Sequence, residues 1–587
     1  MVVSDYRINE LRRFRILVGG LAAAGSASVF YGFNLISNYL QVGYGLDGND
    51  LTTITTTGIV VGFVTFPCGM LLDYAGPMWV LVIGTILSAL GALLYGLVFN
   101  GLIAASVVRF AVFCAFLNFG CLSFDTGSLM AVLGSFPLDR GLVVAQMKTL
   151  NGLGVSVLAA INIGFFREKY AAYMYFLTGT LVVLGCFSAF FIRFPPYHIV
   201  DGEKNKVPEE VQRRRRLVEL YYLQQRPSRR RFAIGFIIII SLIIYLTTQS
   251  LCSAYIPGVS DTSRRGIAAG AIVLVLMVML MAAPLPFLGG MPVPANEALP
   301  PLPQEPEEGG QVAEEKAELD ENAMMMEKSN LDPQYQGTFW SDLKTLDLWL
   351  MWWNTLATWG CGLVISFNSA QIYRALNDNV YEAPTNSMYS AIMGVGSAFG
   401  RLSIGFLETL ILRRDPGNRP VITCLYPIAS IVLVLGVVFL LALPLKSKAV
   451  IIGFFLGAFG NGASWASTAL MMRSLYAKDI GKHYNFMLLG ALIAVIALNR
   501  FAYGEEFTRL ARKNGTYPYC GGKACVQNAL IILLCVNATA IVASTIVHIR
   551  YRSFVRRTRA AHCAAGPVQY SPDVACNMGA IPYTPHE

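Results

Sequence analysis

Two charged residues, Asp125 and Lys148, lie inside long apolar segments of the sequence. Asp125 precedes the turn 136–141 by about 11 residues, and Lys148 follows that turn by about eight. Because a helix rises about 1.5 Å per residue, the two positions lie roughly 16 Å and 12 Å inside the apolar layer of a membrane. Ionisable groups at such depth usually face a cavity or one another. The two residues therefore predict a polar site within a membrane protein.

Three roles are open for Asp125. Burial disfavours the charged form of a carboxyl group, which suits a residue that takes up and releases a proton during transport. Asp125 can instead form a structural ion pair with Lys148, or it can contact a solute. Arg109 precedes Asp125 by sixteen residues, about 24 Å along a straight helix, so these two cannot pair. We expect Arg109 either to reach toward the outer interface or to bind an anionic solute.

The composition indicates an integral membrane protein. The 587 residues are 55% hydrophobic and 14% charged, with a mean hydropathy of +0.53. Many apolar runs are about 20 residues long, which is enough to cross a bilayer. The net charge of +9 arises in short loops, which favours a role in membrane orientation over nucleic-acid binding. The sequence therefore predicts an all-α protein with about fourteen membrane helices.

These helices fall into two groups of six, separated by an inserted pair. Such repeated halves are common among secondary transporters. The predicted segments are an amino-terminal half at 1–194, a basic cytosolic linker at 195–231, two inserted helices at 232–288, an acidic and proline-rich disordered loop at 289–345, a carboxy-terminal half at 346–549 and a cytosolic tail at 550–587.

Basic residues and one outer loop give a consistent orientation. Arginines precede the first span and follow the last one, so we predict that both termini are cytosolic. The loop 507–525 then lies outside, where Asn514 begins a glycosylation pattern and Cys520 and Cys525 are close enough to bridge. Lys446 and Lys448 would also lie outside, against the charge bias. We predict a multi-pass protein of the plasma membrane or of an endolysosomal or vacuolar membrane.

Other classes of function lack their motifs. The sequence has no glycine-rich nucleotide-binding loop followed by lysine, no serine elbow and no cluster of its five histidines. Its twelve cysteines are scattered and show no metal-ligand spacing. We therefore predict neither an enzyme nor a protein with a metal or cofactor.

The segment Gly69 to Gly76 resembles the loop motif of the major facilitator superfamily, although Pro77 and Met78 replace the basic residues that normally follow. Further stretches resemble the nodulin-like transporters of that superfamily, which have Asn where this chain has Asp125. The stretches are Phe124-Asp125-Thr126, Phe136-Pro137-x-x-Arg140-Gly141, Lys148-x-x-x-Gly152-Leu153, Asn368-x-x-Gln371, Gly460-Asn-Gly-Ala-Ser-Trp465, Gly481-Lys-His-Tyr484-Asn485-Phe486 and Cys520-x-x-x-x-Cys525. The resemblance implies the major facilitator fold, a transport function and a disulfide in the last outer loop.

Residues at the cytosolic ends of spans are candidates for gating. The resemblance implies that Asp73 pairs with a group on a neighbouring helix and holds one conformation closed, and Arg140 is its candidate partner. A solvated charge at a helix end is the alternative. Arg401 and Glu408, two helical turns apart, are predicted to close the inner gate of the second half.

Polar or amphipathic residues on several spans are candidates to line the cavity, and each can instead bond helix to helix. Asn368 and Gln371 are three residues apart and share one helix face. The full set is Tyr31, Asn34, Asn118, Asn354, Asn368, Gln371, Asn461 and Trp465.

Two functions are compatible with these features. The first is a secondary active or facilitative transporter, acting as a monomer, that moves a small polar, anionic solute by alternating access, with or without protons coupled through Asp125. The second is a membrane receptor or sensor on a transporter scaffold, in which the acidic loop and the tail engage cytosolic proteins. The partners expected for the first are the solute, protons and the lipid bilayer, and no nucleic acid.

Overall fold

The computed structural model describes residues 6–167, 169–204, 206–256, 260–289, 333–414 and 420–564. The predicted disorder of the acidic loop and of the tail falls mostly on residues 290–332 and 565–587, which lie outside the described residues. Within the described ranges the chain folds into helices, with one isolated β-bridge between Tyr335 and Tyr476.

Fourteen long helices, numbered α1 to α14 in chain order, form the protein. Thirteen of them in the described residues are long and apolar enough to cross a membrane: α1 (Glu10–Tyr44), α2 (Gly48–Ala75), α3 (Pro77–Phe99), α4 (Val107–Ser135), α5 (Arg140–Phe166), α6 (Tyr170–Phe191), α7 (Arg229–Cys252), α8 (Asp261–Ala282), α10 (Pro384–Ile411), α11 (Val421–Ala442), α12 (Val450–Met472), α13 (Gly481–Lys513) and α14 (Ala524–Thr558). The remaining one, α9 (Leu346–Phe367), carries four tryptophans and is not among these thirteen. The predicted all-α membrane fold is confirmed.

Local sequence explains several helix boundaries. Ser106 accepts a hydrogen bond from the backbone N–H of Arg109, and this cap starts α4 at Val107. Gly76 ends α2 at φ +89°, a conformation that glycine adopts without steric cost. The irregular segment Ser28–Phe33 interrupts α1, and a π-helical stretch, Val495–Glu505, interrupts α13. Such irregular turns inside helices are common at functional positions.

The two halves meet along two helix pairs. One pair is α5 with α10, where Ser156 Oγ donates a hydrogen bond of 2.8 Å to the carbonyl of Ala391. A Cβ on Gly152 would lie 2.9 Å from the backbone nitrogen of Ala398, so these helices pack at backbone distance. The other pair is α2 with α13, where Thr65 Oγ1 donates to Asn485 Oδ1 over 2.8 Å. In both pairs, a helix of the amino-terminal half contacts a helix of the carboxy-terminal half.

The inserted helices lie beside the α5–α10 contact. Gln146 on α5 donates a hydrogen bond of 3.0 Å to the carbonyl of Phe232 at the start of α7. Phe236 on α7 packs on Phe406 of α10, with ring centroids 6.4 Å apart. The inserted pair therefore touches both halves.

Candidate functional site

Asp125 and Lys148 form an ion pair between α4 and α5. The Lys148 Nζ atom lies 2.7 Å from Oδ1 and 2.6 Å from Oδ2 of Asp125. Both residues are buried, at 9% and 2% exposed. The helices bring the two together because each charge lies a few turns from the shared loop 136–139. The structure thus contains the Asp125–Lys148 ion pair, which is one of the three roles left open for Asp125. The roles in proton binding and in solute binding stay predictions.

Residues of the other half complete a cluster around this pair. On α10, Arg401 donates from Nη1 to the carbonyl of Lys148 over 2.8 Å and from Nη2 to Tyr31 Oη over 3.0 Å. Tyr484 on α13 lies 3.4 Å from Lys148 Nζ through its hydroxyl. We call Tyr31, Asp125, Lys148, Arg401 and Tyr484 the central cluster. It joins five helices from both halves.

The central cluster carries an excess of positive charge. Asp125 contributes one negative charge against the two positive charges of Lys148 and Arg401. Arg401 is only 1% exposed, and its Nε atom has no hydrogen-bond partner among the described residues. A buried, unpaired N–H group costs free energy that a bound acceptor recovers. The cluster therefore has one net positive charge and one buried N–H group without a partner among the described residues.

Two stacked tryptophans border the cluster. The rings of Trp359 and Trp465 are nearly parallel, with centroids 3.7 Å apart. Lys148 Nζ lies 5.8 Å from the ring centroid of Trp465 and 5.7 Å from that of Tyr484, within the range of a cation–π contact. Neither indole N–H has a partner among the described residues. Of the predicted cavity residues, Tyr31 and Trp465 thus lie beside the ion pair.

A cavity of about 220 Å³ leads to the cluster from one side of the protein. Asp125 and Tyr484 line its deep end, and Asp73 and Arg140 line its mouth. The structure therefore brings the two predicted gating residues to the same opening. The other lining residues are Gly69, Leu72, Thr126, Leu129, Met130, Gly134, Phe194, Pro195, Tyr197, His198, Gly481 and Asn485.

Contacts between the halves close the opposite side. Asn34 on α1 donates to the carbonyl of Ser366 and, over 3.0 Å, to Ser369 Oγ. Asn368 donates to Asn499 Oδ1 over 2.6 Å, and Asn499 donates to Thr56 Oγ1 over 3.0 Å. These predicted cavity residues therefore bond helix to helix in this conformation.

Gln371 and Asn461 occupy separate positions. Gln371 lines a narrow crevice on the closed side, near Arg374 and Asn38. Arg374 bridges the halves there, with Nη2 3.3 Å from Asn38 Oδ1. Asn461 is buried against Gly362 of α9. The predicted joint action of Asn368 and Gln371 is not seen, because Asn368 faces Asn499 whereas Gln371 faces the crevice.

Arg109 is exposed at the start of α4, and its Nη1 atom donates over 2.5 Å to the carbonyl of Ala104. This position is compatible with a reach toward the outer interface, and both predicted roles of Arg109 stay predictions. Arg401 and Glu408 are not brought together, because seven helical residues span about 10 Å. Arg401 is directed at Lys148 and Tyr31, and Glu408 lies against Gly141 at the start of α5.

Tyr484 and Asn485 are site residues that the sequence reasoning did not select. They follow the loop 476–480 and begin α13, so the available signal was a polar pair one turn inside an apolar helix. No group of three or more His, Cys, Asp or Glu residues in the described ranges could hold a metal ion.

The outer-loop features lie together in the loop between α13 and α14. Cys520 and Cys525 are bonded, with their Cα atoms 5.9 Å apart. Asn514 is exposed. We predict that Asn514→Gln removes an enzyme-sensitive glycan when the protein is expressed in a eukaryotic cell, seen as a faster gel band that endoglycosidase no longer shifts. An unchanged, endoglycosidase-sensitive band would show that Asn514 is not the acceptor.

Comparison with known proteins gave one family and several similar folds. Residues 16–291 match the model of the Major Facilitator Superfamily. The fold is similar to that of the nucleoside transporter NupG, with a TM-score of 0.41, 10% identity and coverage of 91% of this chain and 99% of that chain. A search of curated proteins found no match.

Two further structures are similar in the same sense. A bacterial homolog of the human lysosomal transporter Spinster, inward-facing and unoccupied, has a TM-score of 0.43 and 12% identity over 94% of this chain and 99% of that one. A structure from work on proton dependent oligopeptide transporters has a TM-score of 0.48 and 12% identity, covering 92% and 99%. The nodulin-like subfamily stays a prediction. The similarity to the Major Facilitator Superfamily covers residues 16–291, a little under half of the chain.

Proposed function

We propose that this protein is a secondary transporter that carries a small anionic solute across a membrane together with a proton. The observation that carries the proposal is the buried Asp125–Lys148 ion pair at the deep end of a cavity, with Arg401 of the other half bonded to it.

The charge of the central cluster supports an anionic solute. Its excess positive charge is buried, and a charge in a poorly solvated site favours a partner of opposite sign. The cavity reaches Asp125 and Tyr484, directly in front of Lys148. In the proposal, a carboxylate or phosphate group that enters along this route reaches the buried Lys148 once Asp125 no longer holds it, and Arg401 lies beyond.

Asp125 supplies the coupling to protons in this proposal. While Asp125 is ionised, it occupies Lys148 and competes with the solute. When a proton binds to Asp125, Lys148 loses its partner and is free to bind the anion. Proton and anion therefore bind together, and the ion pair forms again when both have been released.

Alternating access is supported by the one-sided cavity. In this conformation, hydrogen bonds of Asn34, Asn368 and Arg374 close one side, and the cavity opens beside Asp73 and Arg140. The predicted topology makes the open side cytosolic. To release the solute on the opposite side, the contacts around Arg374 and Asn368 must separate while the mouth closes.

Thermal unfolding of the purified protein tests the class of solute. The probes are short mono- and dicarboxylates and phosphate esters, with choline and glucose as cationic and neutral comparisons. A ligand of the folded state stabilises it by about 2.7 kcal/mol at a hundred times its dissociation constant. We expect an anion to raise the unfolding midpoint. A rise with choline or glucose and none with the anions would contradict an anionic solute.

Uptake into proteoliposomes tests the role of Asp125. With the stabilising anion as solute, an inward proton gradient is expected to drive accumulation by the native protein. Asp125→Asn is expected to keep solute exchange and to lose this accumulation, because the amide does not titrate. Asp378→Asn alters an exposed carboxylate that pairs with Lys446 and should behave as the native protein. Gradient-driven accumulation by Asp125→Asn would exclude Asp125 as the proton site.

A further inference from the structure

A short segment before α9, residues 333–345, packs against the loop and helix start around α12 and α13. We call it the strap. Its Tyr335 donates a backbone hydrogen bond of 2.8 Å to Leu475 and accepts one of 2.9 Å from Ala477. The rings of Tyr335 and Tyr476 stack, with centroids 5.4 Å apart. The strap is thus held to this loop by main-chain and side-chain contacts.

The strap also covers the first turn of α13. The backbone N–H of Phe339 donates to Asp479 Oδ2 over 3.1 Å. The Phe339 ring packs on His483 and on Phe486, with centroids 5.2 Å and 5.6 Å away. These contacts leave His483 fully buried.

His483 faces hydrogen-bond acceptors with both ring nitrogens. Its Nδ1 lies 2.8 Å from the carbonyl oxygen of Asp479, and its Nε2 lies 3.2 Å from Oδ2 of Asp342 in the strap. A neutral imidazole carries one N–H and can donate only one hydrogen bond. Both contacts are satisfied together only when a second proton is present, on the imidazole or on the carboxyl of Asp342. The docked strap therefore holds one proton more in this pair than a neutral imidazole and a carboxylate carry.

We infer that His483 and Asp342 form a proton-binding site, separate from Asp125, that makes docking of the strap depend on pH. The inference does not rest on the proposed solute or on its transport.

Each ionisable group next to this pair either has a pKa shifted away from neutrality or is held in an ion pair. Burial alone would raise the pKa of Asp479, but the hydrogen bonds from Lys482 and from the Phe339 N–H lower it below its usual value. Burial and the hydrogen bond to Asp347 raise the pKa of Tyr335 to about 12. Burial and the nearby Tyr335 also raise the pKa of Tyr476. Asp347 is paired with Arg550 over 2.5 Å. The pair His483–Asp342 is thus left as the proton-binding group of the docked strap.

The sign of the effect follows from the proton count. When the strap leaves, the His483 ring meets water, and the extra proton that satisfied both of its contacts is no longer held. The docked form then holds one proton more than the undocked form. Docking is therefore favoured at low pH, and as pH rises the ratio of docked to undocked protein falls by up to about tenfold per unit.

The strap lies next to residues of the transport cavity. Tyr484 and Asn485, which follow His483 directly, line the cavity, and Asn485 bonds to Thr65 of the other half. Loss of the strap removes the packing that holds this first turn of α13. A change of pH on the predicted cytosolic side can therefore act, through this site, on the residues that line the cavity.

Hydrogen exchange on the purified full chain in nanodiscs measures docking directly. After correction for intrinsic exchange, protection of residues 333–345 is expected to fall as pH rises, by up to about tenfold per pH unit. In Asp342→Asn the amide can donate to Nε2 of a neutral imidazole, so the strap should stay protected at every pH. In His483→Gln the imidazole is absent, so protection should no longer follow the native pH profile.

His548→Gln is the matched control. His548 lies on α14, where Nδ1 contacts Thr423 Oγ1 over 2.9 Å, and its replacement should leave the pH profile of the strap unchanged. Protection that is independent of pH in the native protein would overturn the inference, and so would a native pH profile in Asp342→Asn. Neither result bears on the solute, because the measurement needs none.

Discussion

Lys148→Met is expected to abolish solute uptake and to lower the stability of the protein. Removing one partner of a buried ion pair costs about 3–5 kcal/mol, because the other charge is left without compensation. Here that charge is Asp125, which is held by Lys148 through both carboxylate oxygens. In the proposed mechanism Lys148 is also the group that binds the anion once Asp125 is protonated. We therefore expect uptake to fall at least about a hundredfold, which corresponds to a loss of roughly 2.7 kcal/mol in binding.

The double variant Asp125→Asn with Lys148→Met separates stability from function. With both charges removed, the cluster keeps only the charge of Arg401 and so has the same net charge as in the native protein, and the unfolding midpoint should return close to the native value. Uptake should stay absent, because the positive charge is still missing. Native uptake by Lys148→Met, or recovery of uptake in the double variant, would contradict a role of Lys148 in solute binding.

Gly462→Ala is expected to destabilise the carboxy-terminal half. A Cβ at this position would collide with the carbonyl group of Ser397 on α10 and would lie 2.8 Å from its Cα atom. These are backbone atoms, so the methyl group fits only if α10 and α12 move apart. Overpacking of this kind costs about 1–3 kcal/mol. The measurement is the thermal unfolding midpoint in one detergent.

Gly179→Ala is the control for the intrinsic effect of the substitution. Gly179 lies in α6 and has no atom within 4 Å of an added Cβ. Alanine favours a helix over glycine by about 0.8–1 kcal/mol, so this variant should unfold at the same temperature as the native protein or slightly higher. If Gly462→Ala also unfolds at or above the native temperature, the close packing of α10 on α12 does not limit the stability of the protein.

Local features of the sequence predicted much of the fold. Apolar runs of about 20 residues and the basic loops between them mark membrane helices without reference to the rest of the chain. The loop 136–139 placed Asp125 and Lys148 on adjacent helices at similar depth, so their contact could be foreseen as one alternative. The cysteine pair Cys520–Cys525 could be foreseen for the same reason, since its members are only five positions apart in sequence.

The sequence provided no guidance where the partner is distant along the chain. For Arg109 the decisive feature is local: the cap at Ser106 starts α4 at Val107, which places Arg109 in the first turn. Arg401 was paired with Glu408 on its own helix. Its actual partners, Lys148 and Tyr31, are 253 and 370 residues away. A single sequence shows no signal for such contacts.

The strap illustrates the same limit. In the sequence, His483 lies near a predicted membrane edge, and a lone histidine at such a position does not predict a function. Its role depends on Asp342, which precedes it by 141 residues. The acidic loop was expected to extend to residue 345, yet its last thirteen residues, 333–345, are ordered against the carboxy-terminal half.

The contacts of the inserted helices indicate which half of the protein they move with. Within the described residues, the hydrogen bonds between this insertion and the rest of the protein go to the amino-terminal half, as from Gln146 to Phe232. The contact of α7 with α10 includes the ring pair Phe236–Phe406. Apolar rings slide past each other without losing a polar partner, whereas breaking a hydrogen bond in lipid costs several kcal/mol. The insertion should therefore travel as part of the amino-terminal rigid body, with α10 as the sliding surface.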